Sequence, residues 1–60
     1  MYTIIILSDT FGNRIYYDVS NIEFPDNLIK LTQPEEKFPD TYLTIDAISS
    51  IHIIVQGLTK

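Results

Sequence analysis

Tyr2-Thr3-Ile4-Ile5-Ile6-Leu7 decides how this chain is read. Isoleucine loses χ1 freedom in a helix and fits a pleated sheet well, so the run reads as a β-strand. Side chains alternate along a strand. Tyr2, Ile4 and Ile6 therefore share one face, and Thr3, Ile5 and Leu7 share the other. A strand with one solvated face alternates apolar and polar residues. This one is apolar on both faces, and no amphipathic helical pattern elsewhere supplies a cover. Either the sheet rolls over on itself, or a second chain covers its outer face.

The size of the chain sharpens that choice. Sixty residues make a single domain, 1–60. Folding a chain of this mass buries roughly 6,000 Å², of which about 60% is apolar, a gain of about 90 kcal/mol at ~25 cal/mol/Å². Ordering it costs ~1.5 kcal/mol per residue, again about 90 kcal/mol. Chains this close to balance use staples. There is no cysteine for a disulfide, and one histidine without cysteine excludes a structural zinc site of the usual kind. Oligomerisation is the staple that remains.

Outward from the first strand, Ser8-Asp9-Thr10-Phe11-Gly12-Asn13 reads as a hairpin loop, since Gly12 and Asn13 tolerate positive φ. Arg14-Ile15-Tyr16-Tyr17-Asp18-Val19 follows as a strand, with Ile15, Tyr17 and Val19 expected on one face and Tyr16 and Asp18 on the other. The next apolar residues, Ile22 and Phe24, break that parity, and a bulge or turn at Ser20-Asn21 restores it. Pro25-Asp26-Asn27 is a turn signal. Leu28-Ile29-Lys30-Leu31-Thr32 and Thr41-Tyr42-Leu43-Thr44-Ile45 read as strands. Between them, Thr32 and Glu35 have capping-box spacing, which allows one helical turn at 34–37 before Pro39 stops it. Ile45, Ile48 and Ile51 lie at i, i+3 spacing, so a short helical or 3₁₀ turn is expected within 46–50. Ile51-His52-Ile53-Ile54-Val55 is the last strand, and Gly57 ends it. The fold expected is all-β: a small antiparallel rolled sheet or barrel of about five strands with at most short helical turns.

Within this pattern, residues 42–55, with Ala47-Ile48-Ser49-Ser50-Ile51 turning into a final strand, resemble the end of Sm-like and other small SH3-like barrels. The resemblance covers that stretch alone and implies an SH3/Sm-like barrel. The basic residues that Sm-like RNA binders use have no counterpart here, so the RNA function is not carried over.

No residue set carries chemistry. His52 has no serine or cysteine nucleophile set up beside it, so it reads as an ordinary strand histidine. Asp9-Thr10-Phe11-Gly12-Asn13 lacks the alternating carboxylates and distal glutamate of a calcium loop. Glu35 and Glu36 are neighbours on an exposed connection and diverge. The expectation is therefore not an enzyme, with no catalytic, metal or cofactor-binding residues and no cofactor. Net charge is −4, and Arg14, Lys30, Lys37 and Lys60 are scattered, which argues against a surface that tracks phosphates. The start lacks the basic region of a signal peptide, the apolar run at 4–7 is too short for its core, and no segment nears the ~20 residues of a membrane span. A cytoplasmic protein with no membrane partner is expected.

The leading expectation is a non-catalytic protein–protein interaction module acting as a homo-oligomer, one form of which is an acidic inhibitor or regulator of another protein. Ile4 and Ile6 are expected in the core, and Ile5, Leu7 and Ile54 at the oligomer interface. Phe11, Tyr16 and Asp18 on the first hairpin are expected to meet an unidentified protein partner, since tyrosine is enriched at interfaces. The alternative is a single-stranded nucleic-acid binder that stacks bases on Phe11, Tyr16, Tyr17 and Phe24. The acidic balance predicts no binding to duplex DNA at physiological salt. A mobility-shift titration checks this, and sub-micromolar binding would contradict it.

Overall fold

The structure, a computed structural model, describes residues 1–56; Gly57, expected to end the last strand, lies outside them. Among the described residues there are six strands, one more than the roughly five expected because Asn21–Glu23 pairs as a separate short strand: β1 (Tyr2–Leu7), β2 (Arg14–Val19), β3 (Asn21–Glu23), β4 (Leu28–Thr32), β5 (Asp40–Thr44) and β6 (Ser50–Val55). A single 3₁₀ turn, Ile45–Ala47, precedes β6. The strands form two antiparallel three-stranded sheets, ordered β2-β1-β6 (sheet A) and β3-β4-β5 (sheet B). The fold is all-β, as expected. The barrel is not closed, because among the described residues no ladder joins β6 to the second sheet.

The two sheets meet through their central strands. Ile4 and Ile6 of β1 and Ile29 and Leu31 of β4 are essentially inaccessible to water, and Val19 and Leu43 complete the buried cluster. The expected assignment of Ile4 and Ile6 to the core is what the burial shows. Each of these side chains contributes ~1.5–3 kcal/mol by leaving water. Around the cluster pack Tyr2, Phe11, Tyr16, Ile22, Ile45, Ile48 and Ile51. The last three are the i, i+3 series. The Ile48 amide donates to the Ile45 carbonyl at 2.9 Å, and the 3₁₀ turn begins one residue earlier than expected, taking Ile45 from the end of β5. At 33–36 there is a turn closed by the Glu36 amide on the Gln33 carbonyl, and no helix.

β2 departs from the expected parity. Tyr2 pairs with Val19 and Ile4 with Tyr16, so Tyr17 and Asp18 together oppose Thr3 alone. That is a β-bulge, and Asp18 adopts φ 55°, the left-handed region that aspartate enters more readily than most residues. The consequence is a switch of faces inside the strand. Tyr16 and Val19 point to the core, whereas Ile15 and Tyr17 are exposed. The parity break expected at Ser20-Asn21 is also present. Ser20 is the corner at which β2 leaves sheet A and continues as β3 in sheet B, and its amide donates to the Thr32 carbonyl at 2.8 Å. Asp26, at φ 53°, shapes the turn between β3 and β4, which the Leu28 amide closes on the Pro25 carbonyl at 3.0 Å.

Ser8 fastens the first hairpin loop to the rest. Its side chain is buried, its hydroxyl donates to the Ala47 carbonyl, and its oxygen accepts from the amides of Thr10 and Phe11. Gly12 takes φ 89° as the loop turns back into β2.

The bulge makes a testable distinction between neighbours. Tyr16→Ala is expected to cost about 2 kcal/mol, because it removes a ring packed on the core. Tyr17→Ala is expected to cost less than about 1 kcal/mol, as for other exposed positions. Urea unfolding followed by circular dichroism measures both, and the reverse order would contradict the bulge.

Candidate interaction surface

Sheet A carries the features that set this molecule apart. Its outer face is built by alternation: Thr3, Ile5 and Leu7 from β1, Ser50, His52 and Ile54 from β6, and Ile15 and Tyr17 from β2. Ile5 lies between Ile15 and His52, and Thr3 lies opposite Ile54. Ile5 and Leu7 are half-buried by their neighbours, and Ile15, Tyr17 and Ile54 are exposed. The outer face of sheet B is of a different character. There Glu23, Lys30 and Tyr42 stand side by side, with the Lys30 ammonium 6.0 Å from the centre of the Tyr42 ring. The residues expected at an oligomer interface, Ile5, Leu7 and Ile54, thus lie on one face, interleaved with Thr3, Ser50 and His52.

The inner face of sheet A is left uncovered at one corner, the far end of β6, while Val19 at the same end of β2 is buried. Along β6, Ile51 packs against the core, Ile53 is 49% exposed and Val55 is 70% exposed. Where the cover fails, Tyr2 and Ile53 from sheet A face Ile22 and Phe24 from the β3 arm across a cleft of about 330 Å³, with Ser20 and Asn21 at its rim. Sequence reading misses the cleft, because its walls come from strands whose relative position depends on the corner at Ser20.

β6 is also an edge strand. The Gln56 amide donates to the Met1 carbonyl at 3.1 Å, so Met1 and Gln56 form a hydrogen-bonded pair. In an antiparallel ladder such pairs alternate with non-bonded ones. With Tyr2 opposite Val55 and Ile5 opposite His52, the backbone groups of His52 and Ile54 go to β1. Those of Ile53 and Val55 go to the free edge. Proteins guard free edges with charge, proline, bulges or shortness. The other three edges are guarded. β2 has Arg14, the bulge, and its Tyr17 carbonyl taken by the Gln33 side chain at 2.8 Å. β3 has three residues, with Glu23 at its end and Pro25 beyond. β5 begins at Asp40, directly after Pro39. β6 has none of these devices over Ser50–Val55, and Ile53, Ile54 and Val55 are exposed in succession.

The first hairpin does not bring its expected partner-binding residues to one surface. Phe11 and Tyr16 pack against the core, while Asp18 is exposed and accepts from the Gln56 side chain at 3.3 Å. Arg14 lies over the Phe11 ring, 4.7 Å from its centre. The four aromatic side chains proposed as a base-stacking platform are therefore dispersed: Phe11 and Tyr16 inward, Tyr17 on the outer face of sheet A, and Phe24 in the cleft.

His52 is exposed opposite Ile5 and, contrary to the expectation that no serine stands beside it, has the Ser50 hydroxyl 3.5 Å from its Nε2, because residues two apart share a strand face. Among the described residues no three His, Cys, Asp or Glu side chains are grouped to hold a metal, and no helix is long and apolar enough to cross a membrane. No family model matches the sequence, and no curated protein or solved structure is similar enough to count as a match.

The alternation along β6 is directly measurable. In dilute protein the amides of Ile53 and Val55 should exchange with solvent quickly, while those of His52 and Ile54 are protected. Residue-resolved hydrogen exchange checks this, and equal protection along the strand would contradict the assigned edge.

Proposed function

We propose that the protein is a non-catalytic protein–protein interaction module that acts as a homo-oligomer, with sheet A as its association surface. The observation that carries this is the concentration of apolar residues on one sheet: exposed Ile15, Tyr17 and Ile54 with half-buried Ile5 and Leu7 on its outer face, and exposed Ile53 and Val55 along its open edge. Single exposed apolar residues are ordinary on any protein, but a contiguous apolar surface marks a binding site. A chain of sixty residues without a disulfide also has little stability to spare, and association adds to it.

The dispersal of the hairpin rings and the net charge of −4 favour this function over single-stranded nucleic-acid binding. An acidic chain of this kind suits neutral or basic protein partners, and inhibition or regulation of such a partner is the form of function that the charge supports. The strand connectivity, with a 3₁₀ turn leading into the last strand, is compatible with the SH3-like relationship suggested by residues 42–55. A cytoplasmic location accords with this function.

The test is association itself. Light scattering should give a mass above that of the 6.9 kDa monomer, and the melting temperature should rise with protein concentration. A monomeric mass at roughly 500 μM, with a melting temperature independent of concentration, would remove the homo-oligomeric function. The double variant Ile4→Ser, Ile6→Ser should not fold, whereas Ile5→Ser, Leu7→Ser should fold.

A further inference from the structure

We infer that the free edge of β6 pairs with β6 of a second copy, antiparallel about a two-fold axis through Ile53, making one six-stranded sheet from two copies of sheet A. This rests on the homo-oligomeric function proposed above and specifies the surface and the register. The register follows from the backbone. Only residues whose N–H and C=O point away from β1 can bond across the edge, and in β6 these are the odd-numbered ones, Ile51, Ile53 and Val55. An axis at Ile53 sets Ile51 opposite Val55 of the second copy and Ile53 opposite its own equivalent. All three residues are then bonded. A shift of two residues in either direction leaves one of them unpaired. A shift of one residue opposes outward groups to inward ones.

The side chains suit the same arrangement. β6 contains no aspartate, glutamate, lysine or arginine, so a chain of net charge −4 meets its own copy along this strand with no carboxylates facing each other across the pairing. On the inner face, Ile53 of both copies meets at the axis, and the two clefts lined by Tyr2, Ile22 and Phe24 adjoin the joined strands. On the outer face, His52 lies opposite Ile54 of the second copy. The area is of the right order. Ile53, Ile54, Val55 and Phe24 are 49, 50, 70 and 57% exposed. Together they leave roughly 450 Å² in water, against ~800 Å² per partner in a standard interface. The backbone edge and the exposed Met1 add to this. A second copy is the occupant that uses every outward backbone group and introduces no unpaired charge.

Three measurements on the full chain test it. Sedimentation equilibrium of the wild type should fit a monomer–dimer equilibrium. Val55→Lys places a charge at an exposed position of the edge and should weaken the dimer by at least about tenfold, with the circular dichroism spectrum unchanged. The register is read by cross-linking, since the chain has no cysteine of its own. His52 and Ile54 of the second copy form a non-bonded pair, whose Cα atoms lie ~4.5 Å apart, within the span of a disulfide. Oxidising a mixture of His52→Cys and Ile54→Cys chains should therefore give the mixed disulfide in preference to either homodisulfide. If the wild type is monomeric throughout, the homo-oligomeric function falls and the edge pairing with it. A dimer that survives Val55→Lys and yields no mixed disulfide, but dissociates on Ile5→Ser with Leu7→Ser, overturns the edge pairing alone. Assemblies larger than a dimer also overturn it, since they require β6 to pair with a different edge.

Discussion

The fold depends on one contact, the inner face of β1 against the inner face of β4. Each is the central strand of its sheet, and between them they supply four of the six buried core side chains, Ile4, Ile6, Ile29 and Leu31. β1 also carries a ladder on each side, to β2 and to β6, so both edge strands of sheet A take their backbone pairing from it. In a domain this small, loss of that contact cannot be made good by a second cluster. The peripheral elements are fastened to it by a few directional bonds, such as Ser8 to the Ala47 carbonyl and the Ile45 amide to the Asn27 carbonyl at 3.0 Å. Those bonds fix where the 3₁₀ turn lies, and hence where β6 begins.

Much of this was legible in the residues. The Ile4 and Ile6 face, the β4 pattern of Ile29 and Leu31, and the Ile45, Ile48 and Ile51 series all follow periodicities that burial imposes. Parity in β2 was not legible, because its bulge depends on Asp18 entering the left-handed region, and an aspartate within a strand looks the same whether it does so or not. The error propagates. Without the bulge, Tyr17 shares a face with Val19 and Tyr16 is read with Asp18 at a partner surface, whereas Tyr16 and Val19 point to the core together. The short strand β3 was obscured for a related reason, since Asn21-Ile22-Glu23 is recognisable as a strand only once β4 is there to pair with it.

The proposed association surface divides along the same line. That Ile5, Leu7 and Ile54 need cover is apparent from composition and alternation. That β6 is an edge, that its odd residues face outward, and that the other edges are guarded are properties of topology. A sheet of three strands has two edges, and nothing in the local sequence of Ser50–Val55 states which neighbour it lacks. The cleft beside it is likewise a product of the corner at Ser20, which carries β3 away from sheet A and leaves Ile53 and Val55 without a covering layer.

The two exposed parts of sheet A differ in what they can specify. An apolar face gains free energy in rough proportion to the area it buries and is nearly indifferent to the orientation of what covers it. A strand edge is the opposite: its amides and carbonyls are directional, and a slip of one residue opposes donors to backbone that faces the wrong way. Unpaired in water, these groups cost nothing, because solvent satisfies them; once an apolar surface closes around them, each must find a partner. Ile53 and Val55 combine both demands at the same residues, with exposed side chains beside the cleft and backbone groups at the free edge. Burying those side chains without pairing the backbone would strand polar groups. An extended chain that meets both demands is therefore selected over any merely apolar object, and the strand best matched in length, alternation and absence of charge is β6 itself.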